Sequence, residues 1–243
     1  MKQEKIILVI PAYNEEESIL KTYKTVEEYN KKNKTNYDVI VINDGSTDNT
    51  RKILEENNVP HINLIYNLGI GGAVQTGYQY AFENNYDIAI QFDGDGQHDV
   101  NYVKDIVKPI INKQADMVIG SRFVDKEKEG FKSSKARRMG IKTISFFIKL
   151  KTKTKLYDVT SGFRACNRTI MKEFIKYYPS EYPEPISTVN VLKKGYVIDE
   201  VSVVMKERER GKSSISSWKN IYYMINVILS IILMKGKRKW VIH

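Results

Sequence analysis

Residues 91–99 read QFDGDGQHD and follow the apolar run Ile88, Ala89 and Ile90. A short apolar run of this kind is the pattern of a buried strand. Asp93 and Asp95, separated by Gly94, therefore stand where a strand ends and a loop begins. In open α/β sheets that carboxyl edge is where ligands bind. A hard divalent cation takes one or two carboxylates and completes its shell with phosphate oxygens and water. Asp93, Asp95 and Gln97 place oxygens at alternate positions, and Gly94 and Gly96 let the backbone come close to a bulky group. Alone, an Asp-x-Asp is most simply an acidic turn, so its meaning depends on the rest of the chain.

Working outward, apolar runs at 6–10, 39–42, 62–66, 88–92 and 117–119 alternate with helix-like stretches at 16–30, 47–57, 72–84 and 100–112. Strict alternation predicts an α/β fold with a mostly parallel, doubly wound sheet. The loops after the strands carry small, polar or acidic residues, among them Pro11, Tyr13, Asn14 and Glu15, then Asn43, Asp44 and Gly45, then Asn67 and Gly69. Loops at one sheet edge converge on one crevice, which gives the aspartate loop its company. Asn43-Asp44-Gly45 is also a good turn, and Ser46 or Thr47 a good helix cap. The second half is less regular. Gly120, Ser121 and Arg122 close the fifth strand; helices are expected at 137–150, near 169–176 and at 187–194, and a strand at 197–205.

The 243 residues, 42% of them hydrophobic, suit one large α/β domain, or one domain with a short appendage. Cys166 is the single cysteine, which excludes an intramolecular disulfide and fits a reducing compartment. The first five residues run straight into a strand, so no signal peptide is expected. The net charge of +10 gathers at 126–138 and at Lys235, Lys237, Arg238 and Lys239. No dedicated nucleic-acid motif accompanies it, which leaves phosphorylated ligands or an anionic membrane as partners and no nucleic acid. Residues 221–234 are apolar except for Asn226 and Ser230, shorter than the roughly twenty residues a spanning helix needs. Trp218, Tyr222, Tyr223 and Trp240 flank this stretch, as in a helix lying in a headgroup layer. Packing on the protein's own core or on a partner is the other expectation.

Six segments in order resemble the inverting family 2 glycosyltransferases: PAYNEEESI (11–19), INDGSTDNT (42–50), NLGIGGAVQTGYQYA (67–81), QFDGDGQHD (91–99), GSRF (120–123) and DVTSGFRACNR (158–168). Among these the chain is most similar to the polyprenyl-phosphate glycosyltransferases, the group of dolichyl-phosphate mannose synthase and its undecaprenyl-phosphate relatives. The resemblance implies a GT-A fold, a Rossmann-like sheet flanked by helices, as a catalytic domain at 1–216. It leaves 217–243 as an amphipathic C-terminal helix at a membrane interface or on a small membrane subunit. It implies Mg²⁺ or Mn²⁺ held by Asp95 and Gln97, with Asp93 near the ribose, the diphosphate or the metal's outer sphere. Pro11, Tyr13, Glu15 and Asp44 would hold the nucleoside; Asp93, Gly94, Asp95, Arg208 and Lys212 would complete the nucleotide-sugar site. Arg122, Arg137 and Arg138 would clamp the acceptor phosphate, and Arg208 with residues 210–214 would form a lid over the donor. Asp93, Asp95 and Arg122 are the expected catalytic residues.

The implied reaction moves a sugar from a nucleotide-sugar to polyprenyl phosphate, at the cytoplasmic face of a membrane to which the protein is peripherally bound. A saccharide hydroxyl in cell-wall or capsule assembly is the alternative acceptor, and an inactive nucleotide-binding scaffold the alternative of another class. A homo-oligomer through the C-terminal helix is compatible with the sequence. The chain departs from the pattern at Ser187, where relatives carry a glutamate and Glu184 is the nearby acid, and at Ser214, where the mannose group carries a lysine. Both departures bear on the sugar, which the resemblance leaves open.

Overall fold

The computed structural model describes residues 4–125, 135–205 and 217–234. β1 (Ile6–Ala12), α1 (Ile19–Asn33), β2 (Tyr37–Asn43), α2 (Thr50–Glu56), β3 (His61–Asn63), α3 (Gly69–Glu83) and β4 (Ile88–Gln91) follow in strict alternation. A 3₁₀ turn leads into α4 (Val103–Ile111), followed by β5 (Met117–Ser121) and α5 (Lys135–Thr152). Then come β6 (Arg164–Asn167), α6 (Arg168–Lys176), α7 (Pro183–Lys193), β7 (Ile198–Ser202) and α8 (Ser217–Leu233). The strands form one seven-stranded sheet in the order β3-β2-β1-β4-β6-β5-β7, parallel except for β6, which runs antiparallel to both β4 and β5.

Side chains alternate across the pleat, and the two faces carry separate apolar layers. Ile7, Val9, Ile40, Ile42, Ala89 and Met117 pack with Ala73, Tyr78, Ile144, Phe174, Val189 and Val227. Leu8, Ile10, Val39, Val41, Ile88 and Ile90 pack with Ile19, Val26, Leu54, Val103 and Ile106. A strand covered on both faces has no polar side to show, which is why β1 and the start of β4 read as unbroken apolar runs. Gly77 lets α3 lie on β1, since a Cβ there would stand 2.0 Å from the Val9 side chain.

The expected elements are found, with instructive differences. The strand expected at 62–66 is shorter, because Leu64 N–H donates to Asn43 O (2.9 Å) and the exposed Ile65 and Tyr66 then turn towards α3. α7 starts four residues earlier than expected, at Pro183, where a proline's missing N–H is harmless in the first turn. β6 had no counterpart in the sequence reading. α8 covers the apolar C-terminal stretch and buries Val227 and Ile231 in the first layer, while Ile225, Leu229, Ile232 and Leu233 face outward.

Candidate active site at the carboxyl edge of the sheet

The loops after β1, β2 and β3 are laced together. Asp44 N–H donates to Ala12 O (2.8 Å), Asn14 N–H to Ser46 Oγ (2.9 Å) and Thr47 N–H to Asn14 Oδ1 (2.8 Å). Leu68 N–H donates to Asp44 Oδ1 (2.7 Å), so the buried carboxylate also fixes the start of α3. Burial pushes the Asp44 carboxyl up from its ordinary value, and the N–H groups of Leu68 and Gly69 oppose that shift. Gly45 is required where it stands: its φ is 66°, and a Cβ would lie 2.8 Å from the backbone nitrogen of Asn67.

The aspartate loop beside them is built on aromatic rings. His98 stacks on Phe163 (4.8 Å between centroids) and meets the edge of Phe92 (5.5 Å). Asp93 N–H donates to His98 Nδ1 (2.9 Å), which assigns the ring proton to Nε2, 3.3 Å from Asp93 Oδ2. Asp95 is buried; its Oδ1 accepts from Gln97 N–H (3.0 Å), and Thr22 Oγ1 donates to the Gly94 carbonyl (2.9 Å). The loop is thus held from α1, from its own turn and from the ring beneath it. Among the described residues no group of three or more His, Cys, Asp or Glu side chains converges on one point. Asp93, Asp95 and Gln97 share this one loop, and their carboxylate and amide oxygens are of the type a hard cation takes alongside water and phosphate oxygens.

Positive charge lies along the same edge. Asp158, fully buried, takes two hydrogen bonds from the Arg122 guanidinium, Nε to Oδ2 at 2.7 Å and Nη2 to Oδ1 at 2.8 Å, and a third from the Arg122 backbone N–H (3.1 Å). Burial works against the Arg122 charge, but Asp158, and more weakly Asp93, outweigh it and raise its pKa. Asp158 is held in turn by Glu200, whose Oε1 and Oε2 accept from the N–H groups of Asp158 and Tyr157 (2.7 and 2.6 Å). The guanidiniums of Arg122 and Arg138 both lie over the Phe123 ring, 5.3 and 5.5 Å from its centroid.

On the other side of Asp93 a third group gathers. Gln91 pairs with Arg164 in the β4–β6 ladder, and the buried Arg164 donates to Val159 O (2.8 Å), Ser161 O (2.6 Å), Glu184 O (2.9 Å) and Thr188 Oγ1 (3.0 Å). It binds the 158–163 segment to the first turns of α7. That segment brings Gly162 against the loop, where a Cβ would stand 3.0 Å from Gln91 Nε2 and 3.2 Å from Asp93 Oδ1. Desolvation raises the Glu184 carboxyl above its ordinary value, with the Arg164 charge opposing.

Residues 7–175 match the sequence profile of glycosyl transferase family 2. The chain belongs to that family. As a family 2 glycosyltransferase it is 32% identical over 212 residues to the UDP-N-acetylglucosamine–dolichyl-phosphate N-acetylglucosaminyltransferase of Methanococcus voltae, covering 80% of this chain and 82% of that one. It is 27% identical to the undecaprenyl-phosphate mannosyltransferase of Micrococcus luteus, over 87% of this chain and 88% of that one. Among solved structures, glucosyl-3-phosphoglycerate synthase from Mycobacterium tuberculosis, in complex with Mn²⁺, UDP-glucose and phosphoglyceric acid, superposes with a TM-score of 0.70. That match has 16% identity and covers 96% of this chain and 81% of the synthase, so it shows the GT-A fold.

In this glycosyltransferase the strand-end loops carry the expected residues Pro11, Tyr13, Glu15, Asp44, Asp93, Gly94, Asp95, Gln97 and Arg122 to the carboxyl edge, and Arg138 joins them through Phe123. The side chain of Arg137, and both Arg208 and Lys212, lie outside the described residues. Sequence reasoning gave no role to His98, Asp158, Glu200, Gln91 or Arg164. His98 stood inside the opening motif and Asp158 and Arg164 inside DVTSGFR; Gln91 and Glu200 carried no local signal.

Proposed function

We propose that the protein transfers a sugar from a nucleoside-diphosphate sugar to a polyprenyl phosphate at the cytoplasmic face of a membrane. The observation that carries this reading is the placement of the acidic loop, with Asp95 buried and Asp93 half-buried, beside Arg122, whose charge Asp93 stabilises, and of Arg138, which shares the Phe123 ring with Arg122. An acidic oxygen set serves a cation on the donor diphosphate, and arginine forks suit an acceptor phosphate. Relatives named for transfer to dolichyl and undecaprenyl phosphate support the choice of acceptor.

Asp95 and Gln97 would hold Mg²⁺ or Mn²⁺, which when bound neutralises the departing diphosphate. Pro11, Tyr13, Glu15 and Asp44 would hold the nucleoside on the laced loops. Arg208 and Lys212 would close on the donor. A phosphate monoester has its second pKa near 6, so at neutral pH it is already mostly a dianion and needs no general base. The side chains then act by alignment: Asp158 takes the Nε–Nη2 edge of the Arg122 guanidinium and leaves Nη1 outside those bonds, for a phosphate oxygen.

No helix among the described residues is long and apolar enough to cross a membrane. A surface suited to lying on one is formed by α5 and α8, which meet where Gly140 backs onto Met224. Met139, Phe146 and Leu150 on α5 and Ile225, Leu229 and Ile232 on α8 are exposed, with Lys142, Lys149 and Lys153 beside them. Apolar stripes rimmed by lysines fit an anionic headgroup layer. The test incubates purified protein with undecaprenyl phosphate, Mn²⁺ or Mg²⁺ and a panel of UDP-, GDP- and dTDP-sugars. A metal-dependent glycosyl-phospholipid identified by mass supports the reading; transfer only to saccharide hydroxyls refutes it.

A further inference from the structure

We propose that Glu200, on β7, is a positioning residue for the acceptor phosphate, holding Arg122 and the Phe123 ring through two separate chains of hydrogen bonds. This rests on the reading of Arg122 as an acceptor-phosphate ligand and adds a residue that touches neither substrate. The first chain runs through Asp158. Glu200 Oε1 and Oε2 accept from the N–H groups of Asp158 and Tyr157 at 2.7 and 2.6 Å, so both oxygens grip consecutive residues of one segment. The Asp158 carboxylate then takes the Arg122 guanidinium at 2.7 and 2.8 Å and the Arg122 N–H at 3.1 Å. A displacement of residue 158 therefore displaces the partner that orients the fork.

The second chain runs through Ser121. β5 and β7 are parallel neighbours with Ile119 opposite Glu200 and Ser121 opposite Ser202, so the pleat sets Glu200 and Ser121 on the same face. The wholly buried Ser121 side chain hydrogen-bonds to Glu200, and its Oγ also accepts from Phe123 N–H, at a long 3.4 Å. Phe123 carries the ring on which the guanidiniums of Arg122 and Arg138 lie. Both chains end at the same pair of arginines. The choice of an acid at 200 is informative, because a second carboxylate behind Asp158 places like charges together and gives up water. A tie needed only for the fold would be made at lower cost by a neutral acceptor. What the carboxylate adds is firmness: an ionised acceptor binds N–H groups more strongly than a neutral one, and with two oxygens it holds two of them.

The test is a double-mutant cycle on the full chain with metal and the active nucleotide-sugar. Donor Kd and kcat/KM for undecaprenyl phosphate in detergent are measured for wild type, E200Q, S121A, R122K, E200Q/R122K and S121A/R122K, with melting temperature as the folding control. E200Q keeps the shape of the side chain but sets an NH₂ group against one of the two backbone N–H donors. In E200Q, kcat/KM for the acceptor should fall about tenfold while donor Kd stays within about twofold. S121A should shift the same ratio in the same direction by less. In the R122K background E200Q should cost no more than about a further twofold, because its effect passes through Arg122. An E200Q loss as large in R122K as in wild type overturns the proposal, as does unchanged acceptor kcat/KM or an equal loss of donor binding. Should E200Q fail to fold, S121A alone and with R122K gives the same comparison, and additive losses there overturn the proposal. R122K that transfers like wild type overturns the reading of Arg122 itself.

Discussion

Arg122 and Asp158 are joined by paired hydrogen bonds of 2.7 and 2.8 Å, with the carboxylate wholly buried and the arginine side chain only 11% exposed. Removing one partner of such a pair leaves a buried charge uncompensated, at about 3 kcal/mol or more. Asp158→Asn should therefore lower the unfolding free energy by about 3 kcal/mol, read by urea titration. Arg122→Lys keeps the charge but not the fork, and should depress transfer more than donor binding. Equal loss of both would contradict the acceptor role.

Asp95 is proposed as a metal ligand, on a loop fixed by its own Oδ1 and by Thr22. Asp95→Ala should weaken Mn²⁺-dependent donor binding by at least about tenfold, and EDTA should then have little further effect. Calorimetric titration of nucleotide with and without Mn²⁺ checks this. Full metal dependence in the variant would remove Asp95 from the site.

Gly162 lies against the side chains of both Gln91 and Asp93. Gly162→Ala places a methyl 3.0 and 3.2 Å from their polar ends, which are side-chain tips able to give by a few tenths of an ångström. Turnover should fall by about tenfold or more from the displaced Asp93 while stability changes by about 1 kcal/mol. A silent substitution would mean that the crevice is wider than the geometry indicates.

Glu184 carries a pH signature. Its carboxyl is raised above 4.5 in the folded protein, chiefly by desolvation, so the folded state binds its proton more tightly than the unfolded chain does. Its ionisation therefore costs stability as pH rises from 4.5 through the raised value, and that cost is absent below 4.5. E184Q cannot ionise, so its stability relative to wild type should grow across that interval. Denaturant midpoints of the two proteins, measured from pH 4 to 8, would show a constant difference if the shift were absent.

The sheet was legible where periodicity was strong. β1 and β2 follow from apolar runs buried on both faces, with α1 between them, and the aspartate loop from its place at the end of β4. β6 was not legible: Arg164, Ala165, Cys166 and Asn167 contain no β-branched residue, and the strand exists because its neighbours offer a ladder on each side. The acids and amides of the site separate in the same way. Asp93 and Asp95 announce themselves by spacing, but Glu200 reaches Asp158 across 42 residues, and Glu184 approaches Gln91 across 93. Only the fold brings those together. Arg122 stood out by residue type as a candidate phosphate ligand, while its anchoring by Asp158 had no local signal.

The proposed acceptor is a lipid phosphate. The most direct measurement compares undecaprenyl phosphate with undecaprenol, the same lipid lacking the phosphate, in detergent with metal and the active nucleotide-sugar. Product is followed by mass, and donor hydrolysis is followed in parallel. Transfer to undecaprenyl phosphate, none to undecaprenol, and loss of that transfer in Arg122→Ala with donor binding intact is the predicted result. Transfer to undecaprenol at a comparable rate, or normal transfer by Arg122→Ala, would contradict it.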